Sequence, residues 1–144
     1  MSDFLSRHFI LESVDERIHD SKNGGTERPD IVINPKSENF KIIVEVDEYQ
    51  HKNRPQLCEC VRMKNISGAY QLPCLFIRFN PDEYNTDSAE ASDRKRHLRL
   101  KKTIAKYMNS EEKKALSEEI IHLYFDGWTD NEPVNISILE GNLI

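Results

Sequence analysis

The sequence lacks several features that would place it in particular classes of protein. It contains no apolar run of about 18 residues or more, so no helix that crosses a membrane is predicted. The start, Met1-Ser2-Asp3-Phe4, has neither the basic nor the apolar segment of a signal peptide. Charged residues make up 31% of the chain and the mean hydropathy is −0.68. These values predict a water-soluble protein, and the expected setting is intracellular, either cytosolic or nuclear.

Cysteine is scarce, with only Cys58, Cys60 and Cys74 present. An odd number of cysteines argues against a framework of disulfides. Cys58 and Cys60 are separated by one residue, whereas zinc sites typically space their cysteines by two to four. Structural thiols are therefore the favoured interpretation. A zinc-stabilised interaction domain that uses these cysteines and His51 remains as a weaker alternative.

An excess of positive charge is also missing, because the formal net charge is −5. This balance argues against a general nucleic-acid coat protein. It does not exclude a nuclease, since acidic residues gather at a metal site and phosphate binding needs only a local basic stripe. One such stripe covers residues 94–102 and contains Arg94, Arg96 and Arg99, which we predict to bind nucleic acid. A solvated helix face is the alternative interpretation of this stripe.

Hydrophobic patterning predicts a single α/β (or α+β) domain over residues 1–144, with a mixed sheet flanked by helices. Strands are predicted at residues 28–34, 40–47, 72–79 and 120–126, and helices at 56–71, 94–109 and 110–119. The near-continuous apolar run at 40–47 indicates a central strand that is buried on both faces. The first twenty residues are ambiguous: Ile10, Val14 and Ile18 have helical spacing, but residues 9–11 are also compatible with a strand.

Three carboxylates are predicted to meet at one end of a hairpin. Asp30 begins one strand, and Glu45 and Asp47 lie near the end of the next. If the turn at residues 34–39 joins these strands antiparallel, positions 30 and 45 become neighbours, while positions 45 and 47 point to the same face. Clustered carboxylates are costly unless a cation neutralises them, and oxygen ligands suit Mg²⁺ or Mn²⁺. The pattern therefore predicts metal-assisted hydrolysis of a phosphodiester.

The same residues resemble a known enzyme family. Arg28-Pro29-Asp30, followed by Glu45-Val46-Asp47, resembles the motif of the PD-(D/E)XK nuclease superfamily. The segment from Val44 to His51 more specifically resembles the Vsr-like (very-short-patch-repair endonuclease-like) branch, in which a hydrophobic strand ends in an E-x-D-(G)-x-x-H pattern. Glu59-x-x-Arg62 and the strand that ends at Phe79-Asn80 match that branch too. The resemblance covers about residues 28–82 and implies a restriction-endonuclease-like fold and a metal-dependent DNA endonuclease.

The resemblance also implies roles for individual residues. Asp30 and Glu45 would be metal ligands. Asp47 stands where the larger superfamily usually has a lysine, so the general base is in doubt, and Asp47 would join the metal ligands. Gln50 would contact phosphate or the nucleophile, and His51 would bind metal, position water or protonate the leaving oxygen.

Other expectations concern binding and alternatives. Lys52 and Arg78 are predicted to contact nucleic acid, although Arg78 could instead pair with Glu59. Glu59 and Arg62 are favoured as an ordinary pair on a helix surface, with support of the site as the alternative. The predicted partner is DNA, including structured or branched forms, and a homodimer or larger assembly is compatible with this function. The departure at Asp47 keeps open a second hypothesis: a catalytically inactive module with the nuclease fold that binds DNA or a protein.

Overall fold

The protein is a mixed α/β structure, and the computed structural model describes residues 1–19, 25–48, 56–82, 93–109, 119–124 and 134–135. The helices in this part of the chain are α1 (Ser2–Ser6), α2 (Gln56–Tyr70) and α3 (Asp93–Met108). The strands are β1 (Leu11–Val14), β2 (Ile18–His19), β3 (Thr26–Glu27), β4 (Ile31–Ile33), β5 (Lys41–Val46), β6 (Cys74–Phe79), β7 (Glu119–Leu123) and β8 (Val134–Asn135). Six of them form one sheet in the order β1-β4-β5-β6-β7-β8, and β2 pairs with β3 separately.

The predicted hairpin is confirmed. β4 and β5 run antiparallel, with Ile31 opposite Val44 and Ile33 opposite Ile42. Both strands are rich in β-branched residues, which favour extended backbone. The polar turn between them includes Glu38 with a φ of 56°, a left-handed conformation that allows the chain to reverse.

The three central strands are parallel, because helices connect them. β5 pairs with β6 and β6 pairs with β7, both in parallel register. α2 lies between β5 and β6 in the chain, and α3 lies between β6 and β7. Parallel neighbours need such crossovers and are buried on both faces. Every residue of β6 is buried, and so are the four central residues of β5.

Each face of the sheet has its own apolar core. On one face, α1 and α3 pack against the sheet through residues that include Leu5, Leu100 and Ile104. On the other face, α2 packs through Cys60, Met63 and Ile66. The i, i+3, i+6 spacing of these α2 residues places them along one side of the helix. Among the described residues, the face that carries the candidate site is therefore covered by α2, which also contacts β2 and β3.

The start of the chain resolves an ambiguity in the sequence. The helical interpretation of Ile10, Val14 and Ile18 is wrong, because Val14 ends β1 and Ile18 begins β2. β1 pairs with β4 at the sheet edge, and this tertiary pairing outweighs the local helical spacing. The predicted helix at 110–119 lies almost wholly outside the described residues. In the part of the chain that is described, no helix is long and apolar enough to cross a membrane.

Candidate functional site

Strand register builds a row of polar side chains across the face that α2 covers. Glu45 pairs with Arg78 on β6, and Arg78 pairs with His122 on β7. On the other side, the pairing of Ile31 with Val44 continues to Asp30 opposite Glu45. Glu45, Arg78 and their neighbour Asp47 are buried, at 2%, 4% and 0% exposure. Buried charges need partners, so the pairing within this row decides the chemistry of the site.

Asp30 is held at the cleft by the hairpin itself. Its Oδ2 accepts a hydrogen bond from the backbone N–H of Val46 at 2.8 Å, and its backbone carbonyl accepts one from the N–H of Asp15 at 2.7 Å. Among the described residues, its Oδ1 has no hydrogen-bond donor. The carboxyl group is therefore fixed in orientation and keeps one oxygen for a ligand.

Glu45 is a buried carboxylate with an arginine as its counter-ion. Arg62 of α2 donates from Nη1 to Oε1 at 2.6 Å and from Nη2 to Oε2 at 3.4 Å. Burial raises the pKa of Glu45 to about 7, although Arg62 acts against this rise. The negative charges of Asp30 and Asp47 raise the pKa further. A cation near Glu45 is therefore needed to keep its charge at neutral pH.

Asp47 points to the same face as Glu45, as predicted, but has a different arginine as its partner. Arg78 donates from Nε to Asp47 Oδ2 and from Nη2 to Glu59 Oε2, the latter at 2.7 Å. The backbone N–H of Asp47 extends the sheet by donating to the carbonyl of Phe79 at 2.8 Å. Asp47, Arg78 and Glu59 thus form a buried ionic cluster beneath α2.

A cleft opens beside Asp30 and Glu45, with a volume of about 720 Å³. Its walls mix acidic and basic side chains: Asp15, Arg17, Thr26, Glu27, Arg28, Asp30, Glu45, Val46, Glu48 and Arg62. Asp47 and Arg78 are not among them. The cleft can therefore bind both a cation, through its carboxylates, and an anion, through its arginines.

The donor set at this cleft fits a hard divalent cation. Mg²⁺ is typically held by one or two carboxylates together with water and substrate phosphate, so Asp30 and Glu45 are sufficient protein ligands. Over the described residues, no group of three His, Cys, Asp or Glu side chains is arranged to hold a metal ion. Coordination of one ion by Asp30, Glu45 and Asp47 together stays a prediction.

Several predicted site residues are not placed by the structure. Gln50, His51 and Lys52 lie outside the described residues, so their predicted roles stay predictions.

Of the cysteines, Cys60 and Cys74 are buried in the core beneath α2, whereas Cys58 is exposed. The burial of two thiols among apolar side chains supports the structural interpretation over a zinc site.

The basic stripe lies on the opposite face of the sheet from the cleft, because α3 packs there. Arg94 is exposed and Arg99 is half-buried, so both can still meet an anion. Arg96 is buried instead, and donates to the backbone carbonyls of Asn80, Pro81 and Asp82.

Two of the arginines predicted to bind nucleic acid thus bond to other parts of the protein. Arg96 clamps the loop that follows β6, and its guanidinium also stacks on the ring of Tyr124, 4.6 Å from the centroid. Arg78 is enclosed by its two carboxylate partners. Both side chains are buried, Arg96 at 7% and Arg78 at 4% exposure, and their predicted contacts with nucleic acid stay predictions.

The favoured interpretation of Glu59 and Arg62 as a surface pair is not what the structure shows. Each is bonded to a strand residue instead, Glu59 to Arg78 and Arg62 to Glu45. Helical periodicity carried a signal for this: positions 59 and 62 share a side of α2 with the buried Met63 and Ile66. Charged residues on a buried helix face require partners on the sheet.

No profile of a known protein family, no curated protein and no solved structure matches this chain. The geometry of the site is therefore the basis for the function proposed below.

Proposed function

We propose that the protein is a metal-dependent endonuclease that hydrolyses DNA phosphodiester bonds on a restriction-endonuclease-like fold. The observation that carries the proposal is the placement of Asp30 and Glu45. Asp30 directly precedes the pair of Ile31 with Val44, and its carboxyl group accepts the N–H of Val46. Asp30 and Glu45 both line the cleft that contains Arg28 and Arg62. A pair of carboxylates beside arginines suits a dication together with a phosphate.

In this proposal Asp30 and Glu45 would hold Mg²⁺ or Mn²⁺, and the ion would activate a water and neutralise charge on the scissile phosphate. The hydrogen bond from the Val46 N–H to Oδ2 fixes the orientation of the Asp30 carboxyl group. The group therefore loses little conformational freedom when it binds an ion. Arg28 has a side chain that is 59% exposed, and its Nε lies 3.3 Å from Asp15 Oδ1. A phosphate of the DNA backbone would compete with this exposed ion pair for the guanidinium.

A second candidate function is a catalytically inactive module that binds DNA or a protein. The specific observation in its favour concerns Asp47, which stands where the resembled nucleases usually have a lysine. Asp47 is buried against Arg78, so no lysine or free carboxylate is available at that position as a base. Metal binding separates the two candidates, because only the enzyme needs the ion.

The decisive experiment incubates purified protein with plasmid and branched DNA in the presence of Mg²⁺ or Mn²⁺. The variants Asp30→Asn and Glu45→Gln remove the ligand charges and keep the side-chain shapes. Asp3→Asn, an exposed acid on α1 remote from the cleft, is the matched control. We expect cleavage by the native protein and the control and its loss in both cleft variants. Equal cleavage by all four proteins, or none by the native protein with either metal, contradicts the proposal.

A further inference from the structure

Arg62 occupies the position that a metal ion would need at Glu45. Its guanidinium meets both carboxylate oxygens, at 2.6 Å and 3.4 Å. Among the described residues, Arg62 is the hydrogen-bond partner of the Glu45 carboxylate, and the cleft is where the two meet. An ion that binds Glu45 at coordination distance therefore has to compete with this guanidinium for the same lone pairs.

The two cations can replace each other because either neutralises Glu45. A buried carboxylate without a counter-ion is destabilising, so Arg62 stabilises the protein when no metal is bound. A dication at the same oxygens supplies the compensation instead, and the ion pair with Arg62 is then no longer required. The displaced guanidinium would also be repelled by the ion.

Two other hydrogen-bond acceptors already lie near the Arg62 guanidinium. Its Nε already lies 3.6 Å from Glu27 Oε2, and its Nη2 donates to the carbonyl of Arg28 at 3.0 Å. Glu27 is itself fixed by a bond from Asn65 Nδ2 at 3.2 Å. The side chain of Arg62 is 18% exposed and lines the cleft, so its guanidinium borders the space that these acceptors also reach.

We propose that Arg62 is a displaceable counter-ion, which neutralises Glu45 before metal binds and moves toward Glu27 and the cleft when metal enters. This inference rests on the proposed function, because it assumes that Glu45 binds a metal ion. Arg62 acts here as a positioning residue: it keeps the empty site folded and makes metal binding weaker than the carboxylates alone would allow. The movement also leaves a guanidinium facing the cleft beside the ion.

The test measures the affinity of Mn²⁺ alone by titration calorimetry on the full chain. Arg62→Met removes the competing guanidinium, and Arg28→Met is the matched control, since it removes one cleft charge that does not touch Glu45. We expect Arg62→Met to bind Mn²⁺ at least about tenfold more tightly. A tenfold change corresponds to the lower end of the free energy that a charge-assisted hydrogen bond contributes. Arg28→Met should change the affinity by less than about threefold, as loss of a screened surface charge does.

Protons also compete for Glu45, so the titration is repeated between about pH 7.5 and 9, above the usual range of a carboxyl group. Circular dichroism verifies that each variant is folded. Arg62→Lys keeps the charge but loses the paired bonds, and its affinity should lie between those of the native protein and Arg62→Met. A purely structural role for Arg62 predicts weaker binding in the variants.

A second measurement uses the native protein and does not depend on how the variants fold. The Nε–H and Nη–H signals of Arg62 are followed by ¹H–¹⁵N NMR, assigned by their absence in Arg62→Lys. Hydrogen exchange of the Nη protons should be slow before Mg²⁺ is added and faster afterwards, because the bonds to Glu45 are broken. Unchanged Arg62 signals at saturating Mg²⁺ contradict the displacement.

The outcomes separate this inference from the proposed function. If Mn²⁺ binds the native protein and Arg62→Met with equal affinity, or binds Arg62→Met more weakly at every pH, the displacement is wrong and the metal site stands. If Mn²⁺ binds neither protein, the metal-dependent function is wrong and the inference is wrong with it.

Discussion

Two arginines hold the two acidic residues at the end of β5, and their surroundings differ sharply. Arg62 meets Glu45 at the wall of the cleft, with 18% of its side chain exposed. Arg78 meets Asp47 beneath α2, with 5% of its side chain exposed, and has Glu59 as a second carboxylate partner. One pair borders solvent and can exchange partners, whereas the other is enclosed.

The difference between the two ion pairs shows that neighbouring acids in one motif can have separate roles. Glu45 and Asp47 are two residues apart, yet Glu45 lines the cleft, whereas Asp47 belongs to the buried cluster in which Arg78 also bonds to Glu59 of α2. Solvent access decides between these roles, since a buried pair loses far more than an exposed one when a partner is removed. The following predictions test this division, in order of decreasing effect.

The largest effect is expected on stability at Arg78. Arg78→Met leaves Asp47 and Glu59 buried without their cation, which should lower the free energy of unfolding by about 3–5 kcal/mol. Arg62→Met should cost about 1–2 kcal/mol, because Glu45 is near the cleft and can take up a proton. Urea denaturation of both variants measures the difference. A loss at Arg62 as large as that at Arg78 would remove the distinction between the two pairs.

The second effect is expected on metal affinity. Glu45→Gln should weaken Mn²⁺ binding by at least about 100-fold, more than the loss of groups that only orient a ligand. Asp47→Asn should weaken it by about tenfold or less if Asp47 acts through Arg78 alone. Titration calorimetry at a temperature where both variants remain folded gives the comparison. A weakening of 100-fold in Asp47→Asn would show that Asp47 is also a ligand.

The third effect is a pH dependence of the free energy of unfolding, which we expect from His122, the neighbour of Arg78 on β7. Burial lowers the pKa of His122 to about 3, and the charge of Arg78 acts in the same direction. The unfolded chain binds a proton at His122 below its ordinary pKa of about 6.5, while the folded protein does not until near pH 3. Stability should therefore decrease as the pH falls from 6.5 toward 3.

The matched variant for this slope is His122→Gln, which removes the titrating group and retains a polar side chain. Its unfolding free energy should depend less on pH over the same interval, as measured by urea denaturation at several pH values. An unchanged slope would assign the acid sensitivity to other residues.

The smallest effect is expected on the opposite face of the sheet. If Arg99 binds a phosphate, Arg99→Ala should lower DNA affinity only a few-fold and reduce the slope of log affinity against log salt by about 1. Arg96→Ala should instead destabilise the protein, because Arg96 holds the loop after β6. Fluorescence anisotropy at several salt concentrations measures the slope. An unchanged slope in Arg99→Ala would indicate that α3 is a solvated face.

Much of the fold was predictable because the deciding forces are local or periodic. The β-branched runs, the polar turn after Ile33 and the helical spacing of Cys60, Met63 and Ile66 gave strands and helices close to those observed. The same reasoning correctly predicted that position 30 would face position 45. It left open whether the segment around Ile10 forms a helix or a strand, and pairing with β4 decides for a strand at Leu11–Val14.

The pairing of Arg78 with Glu59 was one of two alternatives drawn from the sequence, and the structure contains it. The other charge pairs were not predicted, because they depend on contacts between distant segments. Arg62 and Glu59 are three residues apart, and local spacing suggests that they bond to each other. Packing of α2 on the sheet separates them, since it brings Arg62 over β5 and Glu59 over β6. Local spacing likewise does not reveal that α3 and its basic residues lie across the sheet from the cleft.

The sequence by itself determined the strands, their alternation and the hairpin register that brings Asp30 beside Glu45, since these follow from residue types and a period of two. Only the tertiary structure decided which acid faces the cleft and which is enclosed. The physical reason is that burial and ion pairing depend on the position of every layer around a side chain. Glu45 and Asp47 are two residues apart, yet Glu45 bonds to Arg62 of α2 and Asp47 bonds to Arg78 of β6.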